Sequence, residues 1–411
     1  MTTAWYWKRG WGCLAAVLLL WTVGAGGEPP PLSEGEAPQW PPAARPIELM
    51  ARRGAQWLAM MNRPEGVFNV GFHPALNAAA EDDHYLHQAT AAWALARSAR
   101  VLRLAPHNAK AKQALLVLLA QTRLDPSQPG VRLTQMPSAG VNRAAAAAWL
   151  VLAIHALPDP TPDLLTQADQ LTAYFRTVQQ ESGHFQVDLE GFPTPLGRTT
   201  SRQQQIRTQG TIIQALLASH AQAPAPWKLE SARRAITACR SKFQGQRHAE
   251  ITYGVIAGAG EAYLRTKEPF FAEVALEMSE WLTTLQYPAD PRALPLQGGF
   301  MSWQDGQPVR TPPTLTSAAA IAALADACRV ARLSGQVQAY DRARQALDRG
   351  MLFLASLQYT AANTAHFVEP FRAQMVGAFR AGPDDSRILL AEHAEAVEAC
   401  LRYLEAVTPP P

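Results

Sequence analysis

Charge is scarce in this chain. Only 17% of its 411 residues are Asp, Glu, Lys or Arg, and the formal net charge is +3. An average globular domain carries about 25%. A nucleic-acid surface needs a basic block or stripe, but the arginines here are scattered, with no run of stacked aromatics beside them. Nucleic acid is therefore not an expected partner. Disorder is excluded from the other side, because 48% of the chain is hydrophobic and can build a large core. Cysteine is rarer still, with four residues at Cys13, Cys239, Cys328 and Cys400 and no Cys-x-x-Cys pair. That excludes a disulfide framework and a cysteine-rich metal site. The last three cysteines sit among alanines and read as buried thiols. Strand-like alternation is also missing, apart from short pieces such as "GHFQVDLEGF".

One long apolar run is present. Lys8 and Arg9 precede "CLAAVLLLWTVGA", with Val23-Gly24-Ala25 as a small-residue cleavage site. A confident membrane span needs about 20 apolar residues, so the run reads as an export signal over 1–27. The protein would meet a membrane only if this segment stayed uncleaved. Cys13 stands at the front of the run rather than after it, which argues against a lipid-anchored cysteine. Residues 28–46, "EPPPLSEGEAPQWPPAARP", form a proline-rich linker. Residues 47–407 are expected to be a single helical domain.

Twelve helical segments are expected, starting near 47, 84, 108, 141, 161, 202, 226, 248, 269, 313, 336 and 386. The even-numbered ones are rich in alanine or glycine, as in "NRAAAAAWLVLAI" and "ITYGVIAGAGEAY". Small residues let helix axes approach closely, as six helices around one axis require. The odd-numbered segments carry bulk and exposed charge, as an outer ring would. A second repeat follows the outer segments. An aromatic pair leads to Asn or Gln, and Gly-x-Phe comes next: Trp57–Asn62 with Gly66-Val67-Phe68, Tyr174–Gln179 with Gly183-His184-Phe185, Trp281–Gln286 with Gly298-Gly299-Phe300, and Phe353–Gln358 with Gly377-Ala378-Phe379. Such periodicity marks a repeat architecture.

These copies resemble the Gln-x-x-x-Gly-x-aromatic repeats of squalene cyclases and protein prenyltransferase β-subunits. The resemblance covers about residues 47 to 407 and implies an all-α (α/α)6 toroid, six helical hairpins in inner and outer rings. Sugar-active lyases and epimerases use related toroids. The resemblance does not extend to chemistry. Prenyltransferases hold zinc with Asp-x-Cys and a distant His, and Asp326-Ala327-Cys328 with His393 imitates that set. Asp326 falls about ten residues below the turn end of its helix, about 15 Å at 1.5 Å per residue, so no metal site is expected there. The Asp-x-Asp-Asp acid of squalene cyclases is absent; "EDD" at 81–83 and "PDD" at 383–385 are the nearest acidic clusters. With 8% aromatics, and Trp93, Trp149 and Tyr253 the main ones on inner helices, a carbocation cavity is not indicated. Asp384 and Asp385 read as caps at the start of the last inner helix.

The starts of the inner helices would converge at one mouth. Asp83, His87, Tyr253 and His393 are the candidate catalytic residues there, with Asn142, Arg143, Arg202, Arg207 and Arg387 as candidate substrate-binding residues. His393 is expected to face the mouth, with Ala396 and Cys400 continuing its stripe inward. Three readings stand. The first is an exported enzyme acting on an anionic oligosaccharide or polysaccharide, with no cofactor, the arginines holding a uronate and a histidine or tyrosine moving the proton. A hydrolase would need two carboxylates, and Asp83 with Asp384 or Asp385 is the pair available. The second is a non-catalytic envelope binding or assembly module. The third is a degenerate terpenoid cyclase or prenyltransferase relative. The export reading predicts a mature chain beginning at or next to Gly26. N-terminal sequencing of the exported form checks this, and an intact Met1 in the membrane fraction would make the apolar run an anchor.

Overall fold

The structure, a computed structural model, describes residues 40–80, 84–135, 142–187, 198–304 and 306–408, without the side chains of 198–206, 291 and 304. The expected signal and most of the linker lie outside the described residues. The chain runs as hairpins: α1 (Arg45–Met61) with α2 (Tyr85–Val101), α3 (Ala105–Leu119) with α4 (Arg143–Ala156), α5 (Pro162–Val178) with α6 (Arg198–Gln222). They continue as α7 (Pro226–Gly245) with α8 (Ala249–Thr266), α9 (Pro269–Thr283) with α10 (Ser317–Leu333), and α11 (Val337–Leu357) with α13 (Leu390–Val407). A short α12 (Glu369–Met375) lies inside the last connection. Helix α1 begins at Arg45, inside the expected linker, and Trp40 packs on the core.

Local chemistry explains the starts. Five of the six first-in-hairpin helices, α1, α3, α5, α7 and α9, carry proline in their first two positions, where its missing N–H costs nothing. Side-chain caps start α2 and α4: His84 Nδ1 accepts from Leu86 N–H and Asn142 Oδ1 from Ala145 N–H.

The alanine-rich helices form the inner ring. Each packs on two others in the closed order α2, α4, α6, α8, α10, α13 and back to α2. Six helical hairpins in two concentric rings are the architecture expected from the sequence. Close approach is most visible between α6 and α8. A Cβ on Gly210 would stand 2.4 Å from the Gly254 Cα, so the backbones touch where any side chain would separate them. Among the described residues, strands are short. The β1 (Gly71–His73), β2 (Ala78–Ala79) and β3 (Ile388–Leu389) strands make an antiparallel patch in the order β2-β1-β3 that joins the first hairpin to the last.

All four Gly-x-Phe turns lie between an outer helix and its inner partner, at one end of the ring. In each, the Asn or Gln amide donates to the glycine carbonyl: Asn62 to Gly66 (3.1 Å), Gln179 to Gly183 (3.0 Å), Gln286 to Gly298 (3.0 Å) and Gln358 to Gly377 (3.0 Å). In the last three copies the same nitrogen also reaches the neighbouring outer helix, at Ser231, Ala346 and Met50. The phenylalanines are buried and plug the gaps between helices. Gly377 has φ +97°, and a Cβ there would lie 2.6 Å from the Arg53 carbonyl oxygen. Left-handed backbone and an apposed carbonyl both exclude a side chain. Gly377→Val is expected to lower unfolding free energy by about 2 kcal/mol or more in urea melts; unchanged stability would refute the turn assignment.

Candidate functional site at the mouth of the ring

The N-terminal ends of the inner helices surround a cavity of about 250 Å³. Its walls come from repeated helical faces. Helix α6 gives Arg207, Thr211 and Gln214, and α13 gives Ala391, Glu395, Glu398 and Arg402, positions spaced by three or four. Helix α2 adds His87, Thr90 and Trp93, α4 adds Trp149, and α8 adds Glu250 and Tyr253. Trp93 and Trp149 pack with ring centroids 4.9 Å apart.

The charges here are paired. Arg207 Nη1 lies 3.4 Å from Glu395 Oε1, and Glu395 holds that guanidinium further up. His248 Nδ1 lies 2.6 Å from Glu250 Oε2. Burial raises the Glu250 carboxyl, but His248, the residue's own backbone N–H and Arg207 together outweigh it and leave the group below its usual value. Burial, then Glu250, pushes the Tyr253 phenol up. Beside Glu395, Glu392 has a buried oxygen with no hydrogen-bond partner, and burial together with Glu395 pushes its carboxyl up to about 7.

The floor is an ion network. Glu398 accepts from Arg97 Nε (3.1 Å) and Arg402 Nε (2.7 Å). Arg402 also pairs with Asp326 and donates to Gln214 Oε1 at 2.9 Å. Arg97 forks onto Glu405 at 3.0 and 2.8 Å; burial would raise that carboxyl, and Arg97 draws it down to about 2. A second cavity of about 300 Å³ lies beneath this floor. Trp93, Gln214, Glu398 and Arg402 face both cavities and form the waist between them.

Of the residues singled out from the sequence, His87, Tyr253 and Arg207 line the mouth cavity. Asp83 and the side chain of Arg202 lie outside the described residues. The others go elsewhere. Asn142 is 2% exposed and caps α4. Arg143 follows it and does not line the cavity. Arg387 is exposed and forks onto Asp385, with Nη2 to Oδ2 at 2.6 Å. Asp384 and Asp385 are not helix caps, because α13 starts only at Leu390; Asp385 accepts from Arg387 N–H inside the preceding loop.

His393 requires the largest correction. It is fully buried, 0% exposed, and points at the outer ring rather than the mouth. Its Nδ1 accepts the Phe379 N–H at 3.1 Å, and its Nε2–H donates to the Gly54 carbonyl at 2.9 Å. Trp57 and Phe379 flank the ring, at 4.4 and 5.4 Å. The same task is done elsewhere by Gln88 for Phe68, Gln209 for Phe185 and Ser317 for Phe300. His393 is therefore the inner-helix member of the fourth repeat. The expected inward stripe of His393, Ala396 and Cys400 is buried among side chains, and the neighbouring stripe of Glu395, Glu398 and Arg402 faces the axis. Sequence reasoning passed over Glu250, Glu395, Glu398 and Arg402. Their signal was charge recurring at helical spacing inside otherwise alanine-rich segments.

Asp326 is 5% exposed and bound by Arg402, which accounts for it without a metal. Among the described residues, no cluster of His, Cys, Asp or Glu is placed to hold a metal ion, and no helix is long and apolar enough to cross a membrane.

No family pattern and no curated sequence matches this chain. Solved structures do match its fold. A D-mannose isomerase superposes with TM-score 0.64 at 12% identity, over 89% of this chain and 99% of that one. The cellobiose 2-epimerase of Bacillus thermoamylovorans B4167 gives 0.62 at 12%, over 88% and 99%. The α-1,6-mannanase GH76A of Salegentibacter sp. HEL1_6 gives 0.59 at 13%, over 88% and 99%. At these identities the likeness establishes the α/α toroid.

Burial pushes the His393 imidazole down to about 4 from an ordinary 6.5, with the Gly54 carbonyl only partly opposing. Its folded value lies below its unfolded one, so its contribution is complete above pH 6.5 and is lost as pH falls toward 4. The slope approaches about 1.4 kcal/mol per pH unit. His393→Gln is expected to flatten stability against pH in that window while preserving most of the bond to Phe379. His393→Ala, which strands an N–H and a carbonyl and opens a cavity, is expected to cost about 3 kcal/mol or more. Urea melts from pH 4 to 8 measure both; an unchanged slope in His393→Gln would refute the assignment.

Proposed function

We propose that this protein is a carbohydrate-active enzyme that receives a neutral sugar in the mouth cavity and acts on it by acid–base chemistry. The observation that carries this reading is the convergence of Trp93 and Trp149 with His87, Glu250, Tyr253 and Glu395 on one cavity. An indole gives an apolar face to the C–H side of a sugar ring, and carboxylates, imidazole and phenol take its hydroxyls. The volume is just below the ~300–1,000 Å³ of pockets that enclose drug-sized ligands, which suits one sugar ring or little more. Glu250, oriented by His248, serves as the base with Tyr253 beside it on the same helix, and His87 on α2, across the ring, handles the proton on the opposite side. Glu395, held by Arg207, fixes a hydroxyl. The three similar structures are named for mannose, cellobiose and α-1,6-mannan chemistry, which supports a sugar substrate.

An anionic substrate is less well supported. Arg207 and Arg402 are the arginines of the cavity and both already hold glutamates, while Glu250, Glu395 and Glu398 would repel a uronate. If the reaction is hydrolytic, Glu250 and Glu395 replace the pair expected from Asp83 with Asp384 or Asp385. A terpenoid substrate would meet charge where a carbocation needs aromatic walls. The non-catalytic binding module remains the second reading, favoured by the ion network that closes the floor. Export over 1–27 belongs to the proposal and would place the protein where oligosaccharides are met outside the cytoplasm.

The test is incubation in D2O with mannose, glucose, cellobiose and α-1,6-mannotriose, followed by proton NMR. Deuterium appearing at C2 signals isomerisation or epimerisation, and new reducing ends signal hydrolysis. Glu250→Gln is expected to lower turnover about 100-fold or more with the melting temperature retained. Sugar binding by calorimetry without turnover would leave the module reading, and neither binding nor turnover would overturn both.

A further inference from the structure

The mouth cavity is not equally polar all round. Four of its helices bring charged or hydrogen-bonding side chains, such as His87 on α2, Thr211 on α6, Glu250 on α8 and Glu395 on α13. The other two bring no charge, hydroxyl or amide. Helix α4 contributes Ala145 and Trp149, and α10 contributes Ala319, Ala322 and Ala323. In the closed order of inner helices, α4 and α10 stand three places apart, directly across the axis from each other. The cavity therefore has two facing apolar walls with polar sides between them.

Packing alone does not demand the alanines of α10. Gln88, Gln209, Ser317 and His393 each accept the N–H of their turn phenylalanine, so they mark one common level on α2, α6, α10 and α13. Two residues further along stand Thr90, Thr211, Ala319 and Glu395, and all of these line the cavity. Five residues further along stand Trp93, Gln214, Ala322 and Glu398, which line it too. Large or polar side chains thus fit around the axis at both levels, and among these four helices α10 alone keeps a methyl group at each. Trp149 packs on Trp93 with ring centroids 4.9 Å apart, which sets it at the second level, opposite Ala322.

We propose that these walls form a slot that selects a pyranose whose hydroxyls are all equatorial, as in the gluco configuration, with one face on Trp149 and the other against Ala319 and Ala322. The inference rests on the sugar reading above and narrows it. In such a sugar both faces present C–H groups, and the hydroxyls radiate from the edge. The faces suit an indole and a wall of methyl groups. The edge then meets the polar sides supplied by α2, α6, α8 and α13, so each hydroxyl points toward hydrogen-bonding groups. An epimer turns one hydroxyl from the edge onto a face. That hydroxyl gives up water and its bond at the edge, and finds no partner on either apolar wall. Ala319 and Ala322 are on this account specificity-determining residues: they discriminate by offering nothing to an axial hydroxyl.

The experiment is calorimetric titration of the full chain with methyl β-D-glucopyranoside and its C2, C3 and C4 epimers, the mannoside, alloside and galactoside. Methyl glycosides cannot open to the aldehyde, so isomerisation cannot scramble the set. The glucoside is expected to bind about tenfold or more tightly than each epimer. Axial hydroxyls at C2 and C4 project from one face and an axial hydroxyl at C3 from the other, so one of these groups meets the alanine wall. Ala319→Ser and Ala322→Ser each place a hydroxyl on that wall and should keep the wild-type melting temperature. At least one of them should narrow the gap between the glucoside and an epimer of that face by about threefold or more. Glucoside and epimers binding within about twofold of one another would overturn the slot and leave the sugar reading standing. So would an epimer preferred to the glucoside, or serine variants that fold normally and favour no epimer. If none of the glycosides binds, the sugar reading falls and takes the slot with it.

Discussion

Closing the ring is the constraint on which everything else depends. Six hairpins laid side by side leave two raw edges, and these must find each other across almost the whole chain. The bonds that join them span extreme sequence separations: Trp57 to the Gln374 carbonyl (317 residues), Gln358 to Met50 (308), His393 to Gly54 (339) and Arg97 to Glu398 (301). The β1–β3 pairing adds backbone bonds at the same seam. Loop-closure cost grows only slowly with length, so several such bonds acting together suffice. Once the seam is shut, the axis becomes an enclosed space with its own chemistry, and both cavities exist because of it.

Much of the scaffold was legible because it is written in local rules. Proline at helix starts, glycine at turns, and alanine where helices crowd are each dictated within a few residues. The Gly-x-Phe repeat carried further information: it located the end of the ring at which inner helices begin. Rotational phase was harder to read. On α13, two adjacent stripes compete for the axis, one of His393, Ala396 and Cys400 and one of Glu395, Glu398 and Arg402. Small apolar residues suit any crowded interface, so alanine marked the packed side as readily as the axial side. The deciding fact is that the axis of this closed ring is an open cavity that charged side chains can line, which only the assembled ring reveals. Asn142 misled for a related reason, since a helix cap and a ligand-binding amide are the same residue type at the same place.

His393 shows how one structural task can be met by different chemistry. The phenylalanine N–H of each turn must be accepted inside the core. Glutamine does this twice, serine once and histidine once. Only the histidine attracts a catalytic reading, and only because imidazole is rare and titratable. Its neighbours in space, Trp57, Phe379 and the Gly54 carbonyl, are the partners of a packed strut.

The waist of Trp93, Gln214, Glu398 and Arg402 also fixes the direction of traffic. With the axis stopped by buried ion pairs, the mouth cavity is a cul-de-sac: whatever enters must back out the way it came. A polymer cannot thread through such a ring, so only a chain end or a free small molecule can reach the floor. Departure of one occupant must then precede arrival of the next.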